Sequence, residues 1–324
     1  MTRADKLLPS VVEAIGETPL VELSRLTKGL SGRILAKLEY LNPGFSKKDR
    51  IARQMIEDAE QNATLKPGQT VVELTSGNTG TGLSIVCGVK GYPFVAVMSR
   101  GNSEERARMM SALGAEVVLV DQCPGSKRGQ VSGKDLECVE IETQRIVKER
   151  GAFRADQFRL ESHVRAHLLH TGPEILKQCK AGNIEFDAFC DFAGTGGSFA
   201  GCAAVFKEFK PSIACYLVEP KDAAVLAGKP LKNPNHRIQG GGYSMTDLSF
   251  LNPEHIDGYL QVSDEEAIET ARRLAKEEGI FAGFSSGANV AAALQLLKGS
   301  CKGKTVAVLL SDSGLKYLST DLWK

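Results

Sequence analysis

The 324-residue sequence has no apolar run long enough to cross a bilayer, no CxxC pair, no internal repeat and no excess of one charge. Each absence removes a class of function. A membrane helix needs about 20 consecutive apolar residues. The opening MTRADKLLPS has neither the apolar stretch nor the small-residue cleavage site of a secretory leader, so a cytoplasmic protein that does not enter a membrane is expected. Forty Lys and Arg against thirty-nine Asp and Glu leave a net charge of +1, which supplies no field to draw in nucleic acid or an anionic lipid surface. The eight cysteines (Cys87, Cys123, Cys138, Cys179, Cys190, Cys202, Cys215 and Cys301) do not cluster with histidine, and several sit in apolar runs such as AFCDFA and IACYLVE. Reduced, buried thiols are expected rather than disulfides or metal ligands.

What the sequence does contain is alternation. Short β-branched runs at 34–40, 70–74, 94–98 and 116–120 are separated by helical patterns at about 48–60, 79–90 and 103–113. The last of these has Ser103 as N-cap and is expected to bury Ala107, Met110 and Leu113. DQCPGSKRGQVSGKD reads as a surface loop before a helix at about 135–149. A second alternation follows, with strands at 187–192, 213–219, 256–262 and 305–310, and SDEE at 263–266 is a capping box opening the helix that runs to about 278. The fold class is α/β, with two doubly wound units of mainly parallel sheet. About twice the usual single-domain length supports two domains.

Four glycine-containing stretches directly follow predicted strands: NPGFSKKDR, TSGNTG, GTGGSFAG and GFSSGA. Ligands of open α/β sheets gather beyond the carboxyl ends of the strands, so these loops are expected to share one cleft. GTGGS, Gly194 to Ser198, presents backbone N–H groups at a helix start and suits a phosphate. A dinucleotide stays open as a rival because Glu219 closes the next strand, although Phe199 stands where a third glycine belongs. A tight turn with no ligand is the plain alternative. TSGNTG, Thr75 to Gly80, suits a carboxylate, or is merely a turn capping a helix.

Lys47 and Lys48 fall at a helix start if Ser46 caps it, where the macrodipole lowers an ammonium pKa and primes an amine as nucleophile. Position alone does not choose between them, and a solvated basic turn shared with Arg50 would explain both.

The order NPxxSxKDR, TSGNTG, GTGGS and a Ser-Gly pair near the C-terminus resembles the fold-type II, tryptophan-synthase-β-like pyridoxal-phosphate enzymes of the cysteine synthase and cystathionine β-synthase group. The resemblance runs from GETPLVEL at 16–23 to GLKYLST at 314–320. It implies a smaller domain, 45–160, carrying the lysine and the carboxylate loop, and a larger one, 1–44 plus 161–324, carrying the phosphate loop.

By the same matching, Lys48 forms the Schiff base with pyridoxal 5'-phosphate, and Asn78 touches the cofactor's ring hydroxyl. Gly194, Thr195, Gly196, Gly197 and Ser198 hold its phosphate, and Ser285 meets the pyridine nitrogen, with Ser286 as the neighbouring choice. Thr75, Ser76, Thr79 and Gln157 are matched to the substrate carboxylate, and Gly242 and Tyr243 to the substrate side. Lys47 stands where the group has a small apolar residue, points away from Lys48, and is expected to be replaceable without loss. The implied reaction is β-replacement or β-elimination on a β-substituted L-alanine through an α-aminoacrylate, with O-acetylserine and sulfide giving cysteine as the leading version. The partners implied are that small amino acid, a small nucleophile such as sulfide, and a second copy of the chain in a homodimer. Tyr243 and Ser244, in QGGGYSM, depart from the small residues of acetylserine-using members and keep serine or cysteine open as donors. A non-catalytic pyridoxal-phosphate-binding protein and an NAD-dependent oxidoreductase are the alternatives of other classes.

Overall fold

The computed structural model describes residues 6–75, 77–126 and 131–324. Among these, the strands fall into two sheets. The smaller sheet is built from β3 (Val71–Leu74), β4 (Phe94–Ser99), β5 (Glu116–Val120) and β6 (Phe153–Arg154), in the order β5-β4-β3-β6 with all neighbours parallel. The larger has β1 (Leu20–Glu22), β2 (Arg33–Lys37), β7 (Ala188–Phe192), β8 (Ala214–Pro220), β9 (Gly258–Val262) and β10 (Thr305–Leu309), in the order β1-β2-β10-β7-β8-β9. Only the β1–β2 pair is antiparallel in it. The doubly wound α/β reading holds, and most predicted strands lie within two residues of the observed ones.

Parallel strands covered on both faces must be apolar on both faces, and β3, β4 and β7 are buried at every position. On one face of the smaller sheet, Val71, Phe94, Ala96 and Met98 pack with α1 (Lys48–Gln61) and α2 (Asn78–Lys90). On the other, Val72, Leu74, Val95 and Val97 pack with Val139 and Ile146 of α4 (Gly133–Arg150). The larger sheet is covered likewise. Ala188, Cys190 and Val308 meet α8 (Asp264–Glu278) and α9 (Phe284–Lys298), while Phe189, Leu217 and Leu309 meet α7 (Gly197–Phe209). The capping box of α8 forms between Ser263 and Glu266, and its buried Ala267, Ala271 and Leu274 follow the helical period.

Two expectations are corrected, and one segment was not read. In α3 (Glu104–Ala112) the buried residues are Arg106 and Met110, while Leu113, just past the helix end, is 40% exposed. The Arg106 guanidinium stacks over the Tyr317 ring, 4.8 Å from its centre, instead of facing solvent. Six cysteines are free and buried as expected, but Cys123 and Cys138 are paired as a disulfide between the loop after β5 and α4, bringing together two positions 15 residues apart. The path from α5 (Ser162–Ala166) through a π-helical turn at His167–Thr171 into α6 (Gly172–Ala181) was not read from the sequence. No helix among the described residues is long and apolar enough to cross a membrane.

Candidate active site

Lys48 is the first residue of α1, and its backbone N–H donates to the Ser46 hydroxyl at 3.2 Å. Lys47 is the N-cap residue, without a capping side-chain bond, and Ser46 closes a short turn just ahead of it. The Lys48 amine is pushed down to about 7 by withdrawal from water and, next, by the charge of Lys47, so a large fraction is neutral near neutrality. Its nitrogen lies 3.3 Å from His163 Nε2. His163 is fully buried in α5, and its other nitrogen, Nδ1, lies 2.8 Å from the Gln157 carbonyl. A carbonyl only accepts, so Nδ1 carries the proton and Nε2 presents a lone pair to Lys48. Burial and the nearby Lys48 charge hold the imidazole well below its ordinary pKa, hence neutral. Sequence reasoning missed His163. Its only signal was a histidine in the HVRAHLLH stretch, with nothing local to say that it points at Lys48.

Lys48, Asn78, Thr79, Gln157, Thr195 and Tyr243 line one narrow cavity, which brings six of the sequence-derived residues together. Thr79 donates to Gln157 Oε1 at 2.6 Å, and Gln157 Nε2 donates to the Leu74 carbonyl at 2.9 Å, so this pair is oriented before any ligand arrives. Asn78, opening α2, gives one amide hydrogen to Asp312 at 2.7 Å and accepts from Lys316 at 2.8 Å. Its second amide hydrogen is left for a ligand. Thr75 is buried and turned inward, its oxygen accepting from the N–H groups of Gly77 at 3.0 Å and Gly80 at 2.9 Å. It shapes the loop. Ser76 lies outside the described residues.

The loop between β7 and α7 runs through Gly194 to Gly196 before the helix opens at Gly197. Gly196 has φ +84°, and a Cβ on Gly197 would fall 2.3 Å from the His163 ring, so only glycine lets the ring approach the helix start this closely. The exposed N–H groups and helix N-terminus form a cradle that a phosphate fits. Ser198 lies in the first turn, but its hydroxyl is bonded to Asp191 and Lys47 on the inner side of the loop. Gly194, Gly242 and Tyr243 border an adjoining small cavity, and Gly242 has φ +66° with Pro220 and His236 where a Cβ would stand. The segment Gln239–Tyr243 also borders a wider cleft of about 650 Å³. Ser285 sits in the first turn of α9 with 7% exposure, whereas the Ser286 hydroxyl is fully enclosed and has no partner among the described residues. Neither serine lines the narrow cavity.

Lys47 points away from Lys48, as expected. It is 7% exposed, and its ammonium sits 3.0 Å from both Asp191 carboxylate oxygens and 2.8 Å from the Ser198 hydroxyl. Pointing away from Lys48 carries it into the larger sheet's end, not into solvent. The dinucleotide reading loses its support as well, because the Glu219 carboxylate accepts from the backbone N–H groups of Leu226 and Ala227, both at 2.9 Å.

An amine lowered to about 7, a glycine-built helix start for a phosphate, and a buried neutral imidazole beside the amine fit pyridoxal phosphate. The model of the family described as pyridoxal-phosphate dependent enzyme matches residues 11–312, which defines the class. The chain is 41% identical over 320 residues to the cysteine synthase of Staphylococcus aureus, covering 99% of this chain and 98% of that one. The structure of O-acetyl serine sulfhydrylase isoform 3 from Entamoeba histolytica superposes with a TM-score of 0.88 at 36% identity, covering 100% of this chain and 93% of that one. That of a hydrogen sulfide-producing enzyme from Fusobacterium nucleatum gives 0.86 at 37%, covering 96% and 100%. The chain therefore belongs to the cysteine synthase family of pyridoxal-phosphate-dependent enzymes, and its function is cysteine synthase-like.

Proposed function

We propose that the enzyme replaces the β-substituent of O-acetylserine with sulfide to give cysteine, with Lys48 as the residue that condenses with the cofactor aldehyde and moves the α-proton. The observation that carries this reading is the Lys48 amine, lowered to about 7 and held 3.3 Å from the accepting nitrogen of His163. His163 takes one Nζ hydrogen as a hydrogen bond and leaves the amine's lone pair free. Thr79 and Gln157, fixed to each other, receive the substrate carboxylate with the backbone at the start of α2. Asn78 directs an amide hydrogen toward the cofactor's ring oxygen. Pyridoxal phosphate supplies the electron sink that makes the α-proton acidic and the β-bond breakable. Ser285 would meet the pyridine nitrogen with a neutral hydroxyl rather than a carboxylate, which would favour loss of the β-substituent over transamination. Gly194 to Gly197 and the Ser198 backbone hold the phosphate, and the active unit is a homodimer.

Tyr243 supports a second reading, in which serine or cysteine is the donor. It borders the narrow cavity beside Lys48 and Gln157, where a large side chain takes up room that an ester would need and a small leaving group would not. The two readings are separated by kcat/KM for O-acetylserine, serine and cysteine on wild type and Tyr243→Ala. A wild type preferring O-acetylserine establishes the first. Preference for serine or cysteine, lost in the variant, establishes the second. Sedimentation velocity tests the homodimer.

A further inference from the structure

Behind the phosphate cradle lies a charge that an anion site ought not to contain. Asp191, near the end of β7, is fully buried. Its carboxylate accepts from Lys47 Nζ at 3.0 Å, from the Ser198 hydroxyl, and from Asn289 Nδ2 of α9 at 3.0 Å. Through Ser198 it reaches the first turn of α7, the helix end that would face a phosphate. A carboxylate so placed opposes the helix dipole's attraction for an anion, and burial leaves little water to screen it. Lys47 answers that charge from the opposite side and shares the same serine at 2.8 Å.

We propose that Lys47 is a positioning residue for the cofactor's phosphate. By neutralising Asp191 and fixing the Ser198 side chain on the inner face of the loop, it lets the cradle accept a phosphate dianion. The proposal rests on the reading of Gly194–Ser198 as the phosphate site. It assigns Lys47 and Asp191 effects of opposite sign on phosphate affinity. A pair that only tied α1 to β7 would lose the same contact, with the same sign, whichever partner was removed.

The test uses the full-length protein as wild type, Lys47→Met, Asp191→Asn and the double variant. Dissociation constants are measured for pyridoxal phosphate and for pyridoxal, which has the aldehyde and ring but no phosphate, and melting temperatures are recorded alongside. Removing one member of a buried, hydrogen-bonded charge pair is a large perturbation, so Lys47→Met should weaken pyridoxal phosphate about thirtyfold. Pyridoxal also condenses with Lys48, whose pKa the Lys47 charge lowers, so the readout is the ratio of the two affinities, which should shift about tenfold against pyridoxal phosphate. Asp191→Asn should bind pyridoxal phosphate as tightly as wild type or more tightly, and the double variant should return to within about threefold of wild type. Equal weakening of both ligands by Lys47→Met, or weakening of pyridoxal phosphate by Asp191→Asn, overturns the proposal and leaves a structural tie. Should Lys47→Met not fold, Asp191→Asn and the double variant still give the sign. A wild type that binds pyridoxal as tightly as pyridoxal phosphate overturns the cradle reading itself, a result distinct from the others.

Discussion

Two glycine-containing helix starts face the cavity, and each is backed by a buried lysine and aspartate. At α2 the pair is Lys316 and Asp312, and the Asn78 amide lies between them, with Lys316 on its oxygen at 2.8 Å and Asp312 on its nitrogen at 2.7 Å. At α7 the pair is Lys47 and Asp191 in direct contact at 3.0 Å, with Ser198 bonded to both. The difference lies in what the charges do. Around α2 they hold a neutral amide in one orientation, and burial pushes the Lys316 amine down and the nearby Asp49 carboxyl up, so both drift toward their uncharged forms. Around α7 the opposite charges meet and cancel. One helix start is organised for directional hydrogen bonding and the other for charge, which matches a carboxylate and ring-hydroxyl region on one side and a phosphate on the other.

The severest way to break this picture is at the lysine between the two helix starts. Lys48→Ala should cut turnover by at least about 10³-fold, since it removes the proton-moving group and the point of cofactor attachment. Steady-state kinetics, with borohydride reduction and peptide mapping of the trapped lysine, check it, and a label on Lys47 would reverse the assignment. Next in size, Lys316→Met leaves the Asn78 and Gly44 oxygens buried without their donor. That should lower stability by about 1–3 kcal/mol in a denaturant melt. If α2 is the directional end, the ratio of pyridoxal phosphate to pyridoxal affinity should not move, in contrast to Lys47→Met.

A third check concerns pH. Because the Lys48 amine is lowered to about 7 from 10.5, its reactive neutral form grows as pH rises through 7 and is lost below it. Cofactor capture by the cofactor-free protein should be about tenfold faster at pH 8 than at pH 6. A rate still climbing steeply above pH 9 would show an unperturbed amine. The smallest effect is expected from Thr79→Val, which frees the Gln157 oxygen. It should raise KM for the amino acid about fivefold with kcat nearly unchanged, because the contact serves binding more than chemistry.

The strands were legible because a parallel sheet covered on both faces demands runs of β-branched residues, and the loops because glycine must stand where chain and ligand approach closely. Lys48 was reached only through the resemblance, since locally it is one of two adjacent lysines. Local sequence also did not show what Lys47 meets, because its environment is set by Asp191, 144 residues away. Its signal was present on the other side, as an aspartate inside the apolar strand AFCDFA, an acid that must have a buried partner. His163 was not legible for a similar reason, lying 115 residues from the lysine it faces. The cysteine expectation failed only at Cys123 and Cys138, where a loop folds back on α4, a tertiary event with no local mark.

The placing of α1 has a consequence for tolerance. Its body packs on the smaller sheet, yet its first residues are fastened to the larger one, through the Lys47 amide to the Ser311 carbonyl at 2.8 Å and the Lys47 ammonium to Asp191. Lys48 is one Cα step from that anchor, about 3.8 Å. The reactive amine thus takes its datum from the adjoining ends of β10 and β7, the second of which leads into the phosphate seat. The distance between the two points that must grip one rigid molecule is gauged from two neighbouring strand ends of one sheet rather than across the packing between the two sheets.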